Sequence, residues 1–392
     1  MSRPGPLAGM RAIDMSTVVA GPAAAKYLAD FGADVIKVEA PRGDPTRRMG
    51  WGPDEGDSYF WSILGRNKRC VTLDLKTPEG RDRMLALIDE AHVLIENFRP
   101  GTLERLGLSP AELLERNRRL VVLRVTGFGQ YGPYALRPGF ATLAESLSGY
   151  AALSGEPDGK PLLPPIAITD EVAGIVGAFA VLAAVRHADQ SGEGQVIDVN
   201  LLETLFQLMG PLPAAYAASG YQQPRLGSGL PWTVPRGTYQ CSDGTWVSLS
   251  ASAETVAQRL LDLIGVGEHD RFRTSQDRME NREELEALVE AWIAQRTYDE
   301  VESAFGAADA ALARVYTMED IFADAHFADR ETIVEVDGVA MQNVVARMSR
   351  TPGRIRHAGR PQSFNQESLN TVSGWPPLDD AEDSEPNCGT DP

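Results

Sequence analysis

The sequence is poor in the residues and patterns that build disulfide scaffolds, metal clusters and membrane spans. Only three of its 392 residues are cysteine, namely Cys70, Cys241 and Cys388. An odd number at these spacings forms no metal cluster and is typical of a reducing compartment. No run of about 18 apolar residues occurs, so we expect no transmembrane segment. The first residues also lack the apolar stretch of a signal peptide. These absences predict a cytoplasmic protein without membrane contact.

Common catalytic motifs are missing as well. The sequence contains no G-x-S-x-G nucleophile elbow, no H-E-x-x-H zinc motif and no phosphate-binding P-loop. Its five histidines are scattered without the spacing of metal ligands: His92, His187, His269, His326 and His357. These observations argue against a serine hydrolase and a zinc enzyme, and we expect no metal site.

Positive charge is scarce in the chain as a whole. The sequence has 37 basic and 55 acidic residues, a net charge of −18, which argues against a nucleic-acid partner. Residues 363–392 are acidic and rich in Pro, Ser and Asn, a composition that predicts a disordered tail.

Basic side chains are nevertheless concentrated in residues 42–76. They are Arg42, Arg47, Arg48, Arg66, Lys68, Arg69 and Lys76. Such a stretch is either the solvated face of an acidic protein or a group of cations that holds a phosphorylated ligand.

Short apolar runs alternate with helical patterns in the first half of the chain. The runs predicted to be strands are residues 11–16, 34–39, 70–75, 93–98 and 120–125. Helices are expected between them, one opening at Gly21-Pro22, one at Pro78 and one capped by Ser109. Because strands that alternate with helices form βαβ units, we predict an α/β fold with a mainly parallel sheet.

The second half of the chain has a different pattern. An apolar helix is expected from Asp170 to His187, then a strand at 195–200 and a helix at 201–219. Two strands that flank Asp243-Gly244 predict a type I′ hairpin. Further helices are expected near residues 254–265, 282–296 and 298–306.

These patterns suggest a large domain interrupted by a smaller one. The predicted divisions are residues 1–224 for the first part of the large domain, 225–330 for a small α+β domain, 331–362 for a segment that returns to the large domain, and 363–392 for the tail.

Residues Gly127–Gly132 match the G-x-G-x-x-G pattern and follow a predicted strand. In a dinucleotide-binding fold a helix begins at this loop and points its N-terminus at the pyrophosphate. Here Pro133 follows at once, and Pro138-Gly139 interrupts the chain again. We therefore interpret the motif as a flexible glycine loop near a substrate rather than as an NAD site.

Asp170 stands between an apolar, proline-rich run and the most hydrophobic helix of the chain. It is either an N-cap, with Glu171 in the first turn, or a carboxylate nucleophile that the helix N-terminus keeps ionised in apolar surroundings. The residues leave both roles open, and the two roles are compatible.

Six segments carry a resemblance to a known family: residues 7–47, 66–80, 96–107, 126–140, 169–174 and 194–204. Together they resemble the class III CoA-transferases, the CaiB/BaiF family, over most of residues 7–360. The resemblance implies a Rossmann-like large domain built from both chain ends, an inserted smaller domain, and a homodimer of two interlocked rings. It also implies that CoA, the co-substrate, passes from an acyl-CoA donor to a free carboxylic acid, with no tightly bound cofactor.

The resemblance assigns roles to particular residues. The covalent catalytic residue matches Asp170. The CoA-binding positions match Val19, Ala20, Arg42, Leu73, Lys76, Asn97, Phe98 and Arg105. Arg99 and Arg137 are weaker candidates, and Thr126 stands where some members carry Lys.

Two other functions remain as alternatives. The family also contains 2-methylacyl-CoA racemases, which use a histidine in a G-H-D stretch, whereas this chain has Gly139-Phe140-Ala141 and lacks that acid/base pair. The other alternative is a CoA-binding protein without turnover. Residues 137–155 resemble members that act on short dicarboxylic acyl groups such as mesaconyl- or succinyl-CoA.

Overall fold

The computed structural model describes residues 5–377. The chain divides into two compact units. Among the described residues, the first contains residues 5–148, 164–208 and 325–377, and the second contains residues 149–163 and 209–324. The sequence analysis placed the smaller domain at 225–330 and the return segment at 331–362, and that division stays a prediction.

A parallel sheet of six strands forms the centre of the first unit. Its strands are β1 (Arg11–Asp14), β2 (Asp34–Glu39), β3 (Lys68–Thr72), β4 (Val93–Glu96), β5 (Val121–Thr126) and β6 (Val196–Asn200). Their order is β3-β2-β1-β4-β5-β6, and every neighbouring pair is parallel. The predicted α/β fold with a mainly parallel sheet is confirmed. The order reverses between β1 and β4, and folds of this class bind ligands in the crevice at such a point.

Helices cover both faces of this sheet. In the first unit they are α1 (Ala20–Asp30), α2 (Tyr59–Leu64), α3 (Pro78–Ile88), α4 (Thr102–Arg105), α5 (Pro110–Arg116), α6 (Ala141–Leu147), α8 (Ile168–Ser191), α9 (Leu201–Gln207), α16 (Ala325–Asp329) and α17 (Gln366–Thr371). Apolar residues of α1 and α8 pack on one face, and those of α3 and α5 pack on the other. The predicted N-cap Ser109 is confirmed, since its side chain accepts the Glu112 N–H at the start of α5.

Small residues allow α8 to lie directly against α1. A Cβ atom on Gly174 would lie 2.7 Å from the Ala23 Cβ and 3.1 Å from the Ala20 carbonyl oxygen. Real Cβ atoms do not approach other atoms this closely, so the contact requires glycine. The first turns of α8 are therefore fixed next to the first turn of α1.

The second unit is built on a small antiparallel sheet in the order β7-β8-β9. Its strands are β7 (Arg236–Gln240), β8 (Trp246–Ser250) and β9 (Leu312–Arg314). Its helices are α7 (Tyr150–Leu153), α10 (Leu212–Ser219), α11 (Glu254–Leu263), α12 (Ser275–Glu280), α13 (Arg282–Ala294), α14 (Tyr298–Ala307) and α15 (Met318–Ala323). Buried apolar side chains from the sheet and from α11, α13 and α14 form one core.

The hairpin between β7 and β8 is present, but its turn is not of type I′. A type I′ turn needs positive φ at both central residues. Of the two predicted turn residues, only Gly244 has a positive φ, of 86°, and its N–H donates to the Cys241 carbonyl at 3.0 Å. Gln240 pairs with Trp246 and the Cys241 N–H donates to the Thr245 carbonyl at 2.9 Å, so the loop has three residues, 242–244, one more than the predicted turn.

The single helix predicted at 201–219 is also wrong. Gly210 adopts a left-handed φ of 55°, and Pro211 follows as the N-cap of α10. A left-handed residue ends a helix, and proline starts the next one readily. The segment therefore forms α9 and α10.

The predicted disorder from residue 363 onward is wrong for residues 363–377. Helix α17 lies here, and both Leu369 and Trp375 are buried in the core next to α3. The Asn365 backbone and side chain also bond to Cys70 in the edge strand β3, at 3.0 and 2.9 Å. This segment therefore covers an exposed strand edge. The rest of the predicted tail, residues 378–392, lies outside the described residues.

Two further elements of the first unit follow the second unit in the chain, the antiparallel strands β10 (Ile333–Val336) and β11 (Val339–Gln342).

Among the described residues, one helix, α8, has the length and apolar composition of a membrane span. Core helices of globular proteins share these properties, and α8 packs against α1 and β5. The prediction that no segment spans a membrane stays a prediction.

Candidate active site

The turns that follow β1 and β4 meet at the reversal point of the sheet. Asn97 follows β4, and its side chain accepts the Thr17 N–H at 2.8 Å and donates to the Thr17 carbonyl at 2.6 Å. These two bonds use both backbone polar groups of Thr17. The predicted CoA-binding residue Asn97 therefore also fixes the shape of the first βα turn.

Val18 lies in this turn with a left-handed φ of 67°. A β-branched residue in this region is strained, by about 1–3 kcal/mol, and persists only where its surroundings hold it. The next residues, Val19 and Ala20, begin α1, and the first N–H groups of a helix have no acceptor within the helix. The turn therefore presents backbone donors at the predicted CoA site.

A buried group of charges lies beneath the turn. The Asp14 carboxylate accepts the Ser16 N–H at 3.1 Å and the Lys68 Nζ at 2.8 Å. Lys68 also donates to the Pro22 carbonyl in α1, and Lys37 donates to the Ser16 carbonyl. Although burial alone would raise the pKa of Asp14, Lys37 and Lys68 hold that pKa below its usual range. The group therefore anchors the turn and the start of α1 from below.

Sequence reasoning did not predict this buried group. It interpreted the cations of residues 42–76 as a solvated face or a phosphate-binding group, whereas most of them are buried members of ion pairs. Arg47 pairs with Glu39, Arg66 with Asp30, Lys68 with Asp14 and Arg69 with Asp34. The acidic partners lie on β1, α1 and β2, outside the basic stretch, so that stretch alone gives no signal of the pairing. Arg42, Arg48 and Lys76 are exposed.

The remaining predicted CoA-binding residues lie after the carboxyl ends of neighbouring strands. Arg42 follows β2, the buried Leu73 and the exposed Lys76 follow β3, and the half-buried Phe98 follows β4. Arg105 ends α4, and its guanidinium donates to Thr102 Oγ1 at 2.7 Å. Together with Val19, Ala20 and Asn97, these residues lie at the carboxyl end of the parallel strands.

Asp170 lies in the first turn of α8, but it is not the N-cap. The helix begins at Ile168, and Ala167 occupies the cap position without a side-chain hydrogen bond. Ala167 packs against the cluster that contains Val19 and Ala23. Gly174, one helical turn after Asp170, contacts Ala23. The fold thus brings Asp170 beside the turn that contains the predicted CoA-binding backbone.

The Asp170 carboxylate is electrostatically unusual. Burial, with added repulsion from Glu145 and Glu171, raises its pKa to about 6. Within residues 5–377 this carboxylate forms no hydrogen bond or ion pair. The helix N-terminus does not offset these effects, but a group with this pKa is still about 90% ionised at pH 7. It is therefore a free carboxylate with increased basicity.

The glycine loop Gly127–Gly132 follows β5 and starts no helix, which agrees with its interpretation as a non-NAD loop. The Gly129 N–H donates to Thr126 Oγ1 at 2.9 Å, and the Gln130 N–H donates to Asp198 Oδ2 at 2.8 Å. These two donors are therefore already used within the protein. Thr126 is buried and accepts the Gly129 N–H through its hydroxyl.

The two weaker cationic candidates lie on the surface. Arg137 stacks on the Tyr134 ring at 3.8 Å, and Arg99 is exposed after β4.

Comparison with known proteins decides the family. The chain matches the model of CoA-transferase family III over residues 7–366. It belongs to this family. A succinyl-CoA–D-citramalate CoA-transferase of Chloroflexus aurantiacus is 38% identical to this family III member over 365 residues, 91% of each chain. A succinate–glutarate CoA-transferase of Agrobacterium fabrum is 34% identical over 369 residues, 90% of this chain and 92% of the relative.

Solved structures support the same assignment. A CAIB/BAIF family protein from Brucella suis superposes on this family III member with a TM-score of 0.84 at 30% identity, covering 94% of this chain and 99% of that chain. The predictions of a class III CoA-transferase enzyme and of CoA as its co-substrate are therefore confirmed.

Proposed function

We propose that this CoA-transferase moves CoA from an acyl-CoA donor to a free carboxylic acid through covalent intermediates on Asp170. The observation that carries the proposal is the position of Asp170, a partly buried and unpaired carboxylate beside the strained first βα turn. A nucleophile needs an ionised, reactive oxygen and a bound electrophile nearby. The other predicted CoA-binding residues lie at the same carboxyl end of the parallel strands.

Each covalent step exchanges one activated acyl bond, a thioester or an anhydride, for another. An Asp170 oxygen attacks the thioester carbonyl and CoA thiolate leaves, which gives an acyl-aspartyl anhydride. The thiolate then attacks the aspartyl carbonyl and expels the donor acid, which leaves an aspartyl-CoA thioester. The acceptor carboxylate attacks this thioester and releases the thiolate, which finally attacks the acceptor acyl carbon and frees Asp170. Splitting the transfer into matched steps lowers each barrier.

We further propose succinyl-CoA as the donor and a dicarboxylic acid as the acceptor. Residues 137–155 resemble members that act on short dicarboxylic acyl groups, and the two relatives described above are named for succinyl-CoA or succinate. Succinate and a dicarboxylic acceptor each have a second carboxylate that takes no part in the transfer. An exposed cation at the carboxyl end of the parallel strands can bind this second carboxylate.

The isomerase alternative lacks a supporting observation. Phe140, exposed before α6, stands where the racemase histidine is expected, and its side chain has no ionisable group that could act as an acid or a base. Deuterium incorporation at the α-carbon of a 2-methylacyl-CoA, without an acceptor acid, would favour that alternative.

We also propose a homodimer. The outer side of α8 exposes several large apolar residues, Ile175, Val176, Phe179 and Leu182. A contiguous apolar surface of this kind marks an interface. By resemblance to the family, a second copy of the chain covers it in an interlocked arrangement.

The proposed reaction is tested by exchange of labelled succinate into succinyl-CoA. Asp170→Ala is expected to abolish exchange while CoA affinity stays within a few-fold of the wild type. Asp189→Ala is the matched control, because Asp189 is an exposed carboxylate at the other end of α8. Normal exchange by Asp170→Ala would refute the proposal. If wild type shows no exchange, a panel of acetyl-, formyl- and carnitinyl-CoA with mixed acids identifies the donor.

A further inference from the structure

Three carboxylates meet where α6 approaches the start of α8. Glu145 lies on α6 and is only 5% exposed, while Asp170 and Glu171 lie in the first turn of α8. The hydroxyl of Thr169, a fully buried residue, donates to Glu145 Oε1 at 3.0 Å. Because Thr169 immediately precedes Asp170, this bond holds the Glu145 carboxylate near Asp170.

Glu171 and Glu145 differ in how their charge is balanced. Glu171 accepts the Tyr27 hydroxyl at 2.8 Å and the Lys26 Nζ at 3.4 Å, both from α1. Glu145 forms no ion pair with any residue in the described part of the chain. The negative charge of Glu145 is thus buried and uncompensated, whereas Lys26 balances that of Glu171.

Within residues 5–377, no other element packed against α8 supplies a free cation. On β5, Arg124 is occupied by Glu96 and Glu104; on β6, Asp198 accepts a loop N–H; on α9, Glu203 is exposed; on α1, Asp30 is paired with Arg66. The field of Glu145 at Asp170 is therefore not cancelled locally.

We propose that Glu145, held by Thr169, is a positioning residue whose negative charge acts on the reaction only through Asp170. The proposal rests on the proposed role of Asp170 as the nucleophile. A nearby like charge disfavours ionisation and makes a carboxylate more basic. A more basic Asp170 attacks a thioester more readily and leaves an anhydride less readily, so the donor acid is expelled in preference.

The test is the pH profile of kcat/KM for succinate exchange, measured with the full-length protein. Glu145→Gln keeps an acceptor for Thr169 but removes the charge. The acid limb of this profile is expected to move to lower pH by about 0.5–1 unit, since nearby charges shift a pKa on this scale. Glu145→Asp keeps the charge and is expected to restore the wild-type limb. Glu203→Gln, an exposed carboxylate on α9, is expected to leave the limb unchanged.

An acid limb that stays in place in Glu145→Gln would overturn the inference, and so would a limb in Glu145→Asp that matches the Gln variant. If circular dichroism shows Glu145→Gln to be unfolded, Thr169→Val replaces it. Removing the hydroxyl releases the Glu145 carboxylate from its position near Asp170, so the limb should again move to lower pH, and an unmoved limb rejects the idea. Persistent exchange by Asp170→Ala would instead refute the nucleophile itself, so the two failures are distinguishable.

Discussion

Among single residues, Asp170 combines reactivity with a cost to stability. Its folded-state pKa of about 6 lies above the value of 3.8 expected without burial. The native state therefore binds a proton more tightly than the unfolded state, and the ionised carboxylate destabilises the fold at every pH above that folded pKa. This destabilisation declines as the pH falls from 6 to 4.

Asp170→Asn is accordingly expected to be inactive but more stable. At pH 8 we expect a gain of about 1–2 kcal/mol in the free energy of unfolding, reduced for partial exposure of the side chain. At pH 4 the gain should be close to zero. Urea denaturation at the two pH values measures both, and a variant less stable than wild type at pH 8 would contradict the burial argument.

Arg42 and Arg48 form a matched pair for the proposed phosphate contact. Both are exposed and unpaired within residues 5–377, but the family resemblance assigns CoA binding to Arg42 alone. Arg42→Ala is expected to raise the KM for acyl-CoA about 5–30-fold, the loss of one charge-assisted contact, and to leave kcat nearly unchanged. Arg48→Ala should leave both constants near wild type. Equal effects of the two variants on KM would show that only general surface charge matters.

At the scale of elements, the contact between α1 and α8 places the nucleophile. Gly174→Ala puts a methyl group 2.7 Å from the Ala23 Cβ, so α8 must shift and carry Asp170 with it. We expect a loss of about 1–3 kcal/mol in stability, as for overpacked cores, and a lower kcat. Gly306→Ala in α14 is the control, because its Cβ meets nothing within 4 Å. Thermal melts and exchange rates compare the two variants, and unaffected activity in Gly174→Ala would contradict this role of the helix contact.

Local patterns predicted the elements well, and tertiary contacts explain the misses. Alternating apolar runs indicated all five N-terminal strands, because βαβ units impose that rhythm. Helix α8 starts at Ile168, before Asp170, and the hydroxyl of Thr169 bonds to Glu145 rather than acting as a local cap. The left-handed Val18 leaves no sequence signal, since its conformation depends on the distant Asn97. For the same reason, the partners of Lys37 and Lys68 were not predictable.

For the whole molecule, the exposed apolar side of α8 predicts a stable assembly. Light scattering coupled to size-exclusion chromatography should give about twice the chain mass of 42.5 kDa. Phe179 is 73% exposed at the centre of this surface, so Phe179→Glu is expected to weaken the dimer. His187→Glu, near the C-terminal end of α8, serves as a control for added charge. A monomeric wild type would contradict the proposed homodimer.

The account depends most directly on a covalent bond to Asp170. Incubation with succinyl-CoA, followed by hydroxylamine or borohydride trapping and peptide mass spectrometry, detects that bond. We expect a single modified peptide that contains Asp170, and no modification in Asp170→Asn. A label on another residue, or turnover in the absence of any label under the same conditions, would contradict the covalent mechanism.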